Sequence, residues 1–368
     1  MKLRIINVVG ARPNFMKIAP LMLEYQKHPA EFAPVLVHTG QHYDDNMSKL
    51  FFDQLHLPKP DVYLGVGSGS HAEQTGKVMV EMEKLLGAAP SDLVVVVGDV
   101  NSTMAATIVA AKLCIPVAHV EAGLRSFDRT MPEEINRLVT DALADYCFTT
   151  SPDADENLRR EGVPAEKIAF VGNVMIDTLL GLKEVSQQSD ISRRLGLNAE
   201  FGFVTLHRPS NVDSKEILAE ILSALDVVQK KLPLVFPVHP RTVNRLKQFG
   251  RWDELQRWTN LKLVEPVGYL DSLWLMANAK LVLTDSGGMQ EETTVLGTPC
   301  LTIRENTERP ITITEGTNTL VGTSHAKIVA EANRVLEGHG KKGRIPKFWD
   351  GKAAERIVHR LLEHRSKR

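Results

Sequence analysis

The stretch DLVVVVGDVNSTMAATIVAAKLCIPVAHVEAGLRSFDRTMPEEINR, residues Asp92 to Arg137, holds two short apolar runs, Leu93 to Val97 and Pro116 to Val120. Runs this short and this apolar predict parallel strands buried on both faces, with the residues between them forming a crossover helix. Each run leads into an acid: Asp99 follows the first inside GD, and Glu121 follows the second inside HVEAG. Glu133 and Glu134 follow Pro132 at a predicted helix start. Open parallel sheets bind their ligands at the carboxyl ends of the strands, so Asp99, Glu121 and Glu133 are candidate acid–base groups. Glu134 points elsewhere, since adjacent helical residues face different directions. Any one of these acids is equally well a cap or a helix-dipole partner worth roughly 0.3–1 kcal/mol. The set is harder to explain that way, because neighbouring carboxylates raise one another's pKa at a cost. Arg125 and Arg137 are either their partners or holders of a substrate anion.

Strand and helix alternate outward from this stretch in both directions. Leu3 to Val9 is a first strand, and GARPNFMKIAP turns directly into a helix reaching Tyr25. It lacks the GxGxxG spacing of a dinucleotide site. It offers Gly10 for a tight turn and Arg12 and Lys17 as cations near a helix N-terminus, a pattern suited to phosphate or carboxylate. A strand from Pro34 to Thr39 is followed by Gln41 and His42, again at a carboxyl end. GSGSHAEQTG predicts a loop and then a helix supported by Glu73. YCFTTSP and IAFVGN supply further strands, each followed by a helix, and the polar stretch from Glu184 to Glu200 interrupts the pattern.

A second alternation then begins. FGFVTLH ends in His207, with Arg208 after it, and LVFPVHP ends in His239. In KLVLTDSGGMQEETTVLGTP a strand ends at Thr284, Asp285 and Ser286 form the turn, and Gly287 and Gly288 open a helix carrying Glu291 and Glu292. Backbone amides at such a turn suit a diphosphate, and a carboxylate one turn deeper suits a ribose's paired hydroxyls. Arg304 and Arg309 follow the next strand. Two α/β domains are therefore expected: 1–183 carrying the carboxylates, 184–345 binding the nucleotide, and 346–368 as a C-terminal helix packing back on the first.

Lysines and arginines number 44 against 45 acids, and the near-neutral pI leaves no global field for nucleic acid or anionic lipid. The three cysteines, Cys114, Cys147 and Cys300, show no metal-ligand spacing and predict buried free thiols in a reducing compartment. No apolar run has membrane-spanning length, so a cytoplasmic protein without membrane partners is expected.

The segments GARPNFMKIAP, VGDVNST, HVEAGLRS, MPEEINR, VGNVMID, LHRPSN, PVHPR and LTDSGGMQEE resemble, in order, those of the non-hydrolysing UDP-N-acetylglucosamine 2-epimerases along nearly the whole chain. The resemblance implies two Rossmann-like domains of the GT-B type with the active site in the interdomain cleft. It also implies a homodimer, a UDP-sugar substrate, no metal and no other cofactor, and a role in supplying precursors for cell-surface polysaccharide. By the same resemblance Asp99, Glu121, Glu133 and His207 are catalytic. Arg12, Lys17, Arg208, His239, Ser286, Gly287, Gly288, Glu292 and Arg309 bind the UDP-sugar, and Gln41 and His42 are regulatory. Asp44 and Pro209 stand where substrate-regulated members carry a second glutamine and a second arginine. QHYDDNMS and GSGSHAEQTG are closer to a branch acting on UDP-2,3-diacetamido-2,3-dideoxyglucuronate. The competing readings are a GT-B glycosyltransferase, a hydrolysing relative and a non-catalytic nucleotide-sugar sensor, and three carboxylates have little use in the first or the last.

Overall fold

The computed structural model describes residues 2–40, 55, 57–197 and 199–365, without the side chains of Arg12 and residues 364–365. Gln41 and His42 lie outside the described residues. The chain divides into two compact units, Met1–Gly181 with Lys347–Arg368, and Leu182–Pro346.

The first unit is built on a seven-stranded parallel sheet of order β3-β2-β1-β4-β5-β6-β7. Its strands are β1 (Leu3–Val9), β2 (Phe32–His38), β3 (Val62–Tyr63), β4 (Leu93–Val97), β5 (Val117–Ala122), β6 (Tyr146–Thr149) and β7 (Ile168–Phe170). Helices α1 (Arg12–Tyr25), α2 (His71–Ala88), α3 (Asn101–Lys112), α4 (Pro132–Leu143), α5 (Pro152–Arg160) and α6 (Val174–Ser186) flank it. Every residue of β4 and β5 is buried, as a strand covered on both faces requires. Ala105, Ala106 and Ala110 let α3 lie close on the sheet. Helix α2 starts at a capping box in which Ser70 Oγ accepts the Glu73 amide and Glu73 Oε2 accepts the Ser70 amide.

The second unit repeats the plan with six parallel strands in the order β10-β9-β8-β11-β12-β13. These are β8 (Gly202–Thr205), β9 (Leu234–Pro237), β10 (Leu261–Val264), β11 (Leu281–Thr284), β12 (Cys300–Thr302) and β13 (Asn318–Leu320). Its longer helices are α7 (Lys215–Gln229), α8 (Pro240–Gln248), α9 (Tyr269–Asn278), α10 (Gly287–Leu296) and α11 (His325–Arg334). Its core joins Leu222 and Leu225 of α7 to Leu234, Phe236 and Leu283 of the sheet.

In each sheet the strand order reverses once, between β1 and β4 and between β8 and β11, and such switch points are where open α/β sheets bind ligands. The final helix, α12 (Ala353–Arg365), packs on α1 of the first unit. Asp177 of α6 accepts the Ala353 and Ala354 amides at 3.1 and 2.7 Å. Three expectations need correction. Glu121 lies within β5, not after it, because the strand continues through a bulge to Ala122. Gly10 is not in the left-handed region; its turn is held instead by Asn14, whose Oδ1 accepts the Gly10 and Ala11 amides at 3.1 and 3.0 Å. Cys147 and Cys300 are buried thiols, but Cys114 is exposed, at φ 55° just past the end of α3.

Candidate functional site

At the first switch point, strand β4 delivers Gly98 and Asp99 and strand β5 delivers Glu121. Glu121 has φ 77°, in the left-handed region that a non-glycine residue enters at a cost of order 1–3 kcal/mol. The register of β5 against β6 shifts at this residue, and the bulge turns the carboxylate toward Lys17 of α1. The two form a buried ion pair. Lys17 was expected to hold a ligand anion, and the structure places it against a protein carboxylate. Gly98 makes the pair possible: at φ +67°, a Cβ there would sit 2.6 Å from Lys17 Nζ. Asn14 Nδ2 donates to the Val97 carbonyl at 2.9 Å, tying α1 to the end of β4.

Asp99 is held by Arg137 of α4, Nη1 to Oδ2 at 2.5 Å. The same guanidinium binds Glu134 at 2.5 Å, so Arg137 is a partner of the acids. Glu134 also accepts the Ser126 and Phe127 amides, each at 2.9 Å. Burial alone would raise its pKa, but the Ser126 amide and Arg137 carry it below the usual carboxylate range. Glu134 is thus a buried organiser of the loop before α4, while Glu133 is half-buried beside it. Arg125 is equally committed, to Asp141 at 2.7 Å and Glu161 at 2.6 Å. The mutual repulsion expected among the acids is answered by Lys17 for Glu121, a pairing that was not expected, and by Arg137 for Asp99, one of the two arginines expected as possible partners.

At the second switch point, β8 leads to His207 and β11 to Asp285. Fully buried Asp285 accepts the amides of His207 and Arg208 at 2.9 and 2.8 Å, and its other oxygen lies 2.9 Å from His207 Nδ1. Burial opposes its charge, yet His207 and the two amides hold its pKa below the ordinary value. The His239 ring lies 5.8 Å from that of His207, and its Nδ1 accepts the Arg241 amide at 3.2 Å as the cap of α8. Ser286 caps α10 by position, its own amide donating to Thr284 Oγ1 at 2.9 Å.

Gly287 opens α10 under Arg309 and Glu308, where a Cβ would meet Arg309 Nη1 at 2.6 Å and Glu308 Oε1 at 2.8 Å. Glu308, a residue that sequence reasoning passed over, is gripped by Arg309, by Arg304 at 2.8 Å and by Arg208 at 3.8 Å. Burial works against its charge, and the three guanidinium groups hold its pKa far below the usual range. Arg309 also reaches Glu291 at 3.0 Å. Glu292 accepts the Tyr269 hydroxyl at 2.8 Å; burial pushes its pKa up to about 7, with Glu291 adding to the rise against the Tyr269 hydrogen bond. His119, Asp141, Asn14, Glu308 and Tyr269 were all missed. Only His119, a polar residue inside an apolar run, carries a signal that periodicity could have found.

Among the described residues no group of three or more His, Cys, Asp or Glu side chains is placed to hold a metal, and no helix is long and apolar enough to cross a membrane. The family model for UDP-N-acetylglucosamine 2-epimerase matches residues 24–362. The chain is 44% identical to the UDP-N-acetylglucosamine 2-epimerase of Methanocaldococcus jannaschii, over 99% of each chain. It is 40% identical to the UDP-2,3-diacetamido-2,3-dideoxy-D-glucuronate 2-epimerase of Pseudomonas aeruginosa, over 98% of this chain and all of that one. The crystal structure of the M. jannaschii protein in complex with UDP-GlcNAc and UDP superposes with a TM-score of 0.89, covering 99% of this chain and all of that one. Both parallel Rossmann-like sheets are those of the GT-B-like fold of these relatives. With match, identity and fold all running essentially end to end, the chain belongs to the UDP-N-acetylglucosamine 2-epimerase family.

Proposed function

We propose that this chain is a non-hydrolysing isomerase that inverts the second carbon of a UDP-2-acetamido sugar, interconverting UDP-N-acetylglucosamine and UDP-N-acetylmannosamine. A carboxylate takes the proton from the second carbon while the bond from the first carbon to the UDP oxygen breaks. UDP leaves with the electron pair, and a carbon–carbon double bond forms, giving 2-acetamidoglucal. Return of a proton to the opposite face and re-addition of UDP complete the inversion. The observation that carries this reading is the pair of carboxylates on adjacent strand ends, Asp99 and Glu121, each charge-compensated by its own buried cation. A paired carboxylate is fixed in place, and a proton-transfer group must first of all be held within reach of the proton it moves. Glu133 is the third acid of the set.

The second unit supplies the leaving-group half. His207, with Nδ1 tied to Asp285, offers Nε2 to the diphosphate. Ser286, Gly287 and Gly288 at the start of α10, with Arg208, His239 and Arg309, form the anion-binding surroundings. Glu292 takes the ribose hydroxyls. The 40% identity to the P. aeruginosa enzyme favours a second reading, the same reaction on UDP-2,3-diacetamido-2,3-dideoxyglucuronate. A cytoplasmic homodimer feeding polysaccharide synthesis accompanies either reading.

Incubation of the enzyme with each UDP-sugar in deuterium oxide tests the reaction: the epimer forms and carries deuterium at the second carbon. Asp99→Asn, Glu121→Gln and Glu133→Gln each lower kcat by about 10²–10⁴-fold with UDP binding retained. Absence of epimer with either sugar, or near-normal turnover in all three folded variants, defeats the proposal; a glycosyltransferase would make no epimer, and a hydrolysing relative would release free sugar.

A further inference from the structure

His119 and Asp141 are fully buried, and neither contributes to the acid–base set. Asp141, on α4, places Oδ1 at 2.6 Å from His119 Nδ1. Its Oδ2 accepts the Gly123 amide at 3.0 Å and lies 2.7 Å from Arg125 Nη1. His119 and Gly123 stand two residues to either side of Glu121, so one carboxylate grips both shoulders of the bulge that holds Glu121 at positive φ. His119 Nε2 lies 2.8 Å from the carbonyl oxygen of Gly98, the residue just before Asp99. That carbonyl can only accept, so Nε2 donates. Burial opposes ionisation of Asp141, but His119 and Arg125 hold its pKa below the ordinary value, so Nδ1 faces an acceptor as well. The resulting chain, Asp141 to the His119 ring to the Gly98 carbonyl, links the end of β5 to the end of β4.

We propose that Asp141 and His119 are positioning residues for the epimerisation, clamping the Glu121 bulge and the Gly98–Asp99 strand end so that both carboxylates meet the substrate in fixed geometry. This rests on the epimerase reading of Asp99 and Glu121. Neither residue touches substrate. A shift of about 1 Å at a reacting group costs about 10²-fold in rate, so loss of the clamp acts on the proton-transfer step and leaves substrate binding in place.

The test compares wild type, Asp141→Asn and His119→Gln at a temperature where circular dichroism shows each folded. It reads kcat and KM with UDP-N-acetylglucosamine, UDP affinity by calorimetry, and the isotope effect with substrate deuterated at the second carbon. The expected result is a kcat lower by about 10²-fold, little change in KM or UDP affinity, and a larger isotope effect as proton abstraction becomes more rate-limiting. A merely structural role would lower the melting temperature and leave the isotope effect of the folded fraction unchanged, which would overturn the proposal. Should neither variant fold, nitrogen-15 spectra of histidine-labelled wild type decide. A ring Nε2–H of His119 protected from solvent exchange by its hydrogen bond to the Gly98 carbonyl is expected, and a ring without that protected proton overturns the clamp. A wild type that makes no epimer removes the epimerase reading itself, a result distinct from active variants with wild-type kinetics.

Discussion

Glu292 is buried within the second unit, where it accepts the Tyr269 hydroxyl, and its charge is disfavoured enough to move its pKa from 4.5 to about 7. Because the folded value lies above the unfolded one, the group's contribution to stability is fully present below about pH 4.5. It is lost as pH rises through about 7, for a total of about 3 kcal/mol. Urea unfolding followed through the second unit is expected to show this loss in wild type, with Glu292→Gln lacking it; parallel pH curves would count against the assignment. Ribose hydroxyls donating to the carboxylate favour its ionised form, so UDP affinity is expected to rise over the same interval in wild type and to stay flat in the glutamine variant. The position of Glu292 one turn into α10 was legible from the DSGGMQEE spacing. Its protonation was not, since that depends on what surrounds it in space.

Among the elements, the bulged end of β5 and the glycine end of β4 act as one device. Glu121 reaches Lys17 only because Gly98 leaves room for the ammonium. Gly98→Ala forces a side chain into the left-handed region and within 2.6 Å of Lys17 Nζ. The expected outcome is a stability loss of about 1–3 kcal/mol and a marked fall in turnover, with UDP affinity retained. Denaturant titration alongside calorimetry checks it, and an alanine variant with normal turnover would show the glycine to be dispensable. The bounds of β1, β4 and α1 were readable because each is a clean apolar run or begins at Arg12–Pro13 beside a turn. Strand β10, Leu261–Val264, was not, because its exposed and half-buried positions leave no continuous apolar run. Two-residue β3 is too short for any periodicity.

Across the whole molecule, the chain leaves the first unit within α6, at Gly181, completes the second, and returns at Lys347 to finish the first. The return is anchored by Trp349, which is fully buried and donates Nε1 to the Thr150 carbonyl at 2.8 Å. Gly172, at φ +95°, lets the backbone at Phe348 pass so closely that a Cβ would collide with it. Trp349→Ala removes a large core side chain and leaves that carbonyl without its donor, so the first unit is expected to lose about 3–5 kcal/mol while the second keeps its stability. Urea unfolding with probes in each unit reads the difference, and a loss shared equally by both would contradict the assignment of this segment to the first.

The local sequence determined the two alternations of strand and helix, the helix starts at Pro132 and Ser70, and the placing of Asp99, Glu121, His207 and the glycine pair at strand ends. These follow from apolar runs, caps and turn residues that act within a few positions of one another. Tertiary structure alone decided which cation serves which acid: Lys17 is 104 positions from Glu121 and Arg137 is 38 from Asp99, separations over which no sequence pattern specifies a partner. It also decided that Glu121 is held at positive φ and that Asp141 joins its two flanks, because strain and buried pairing exist only once strands β4 and β5 lie side by side under α4.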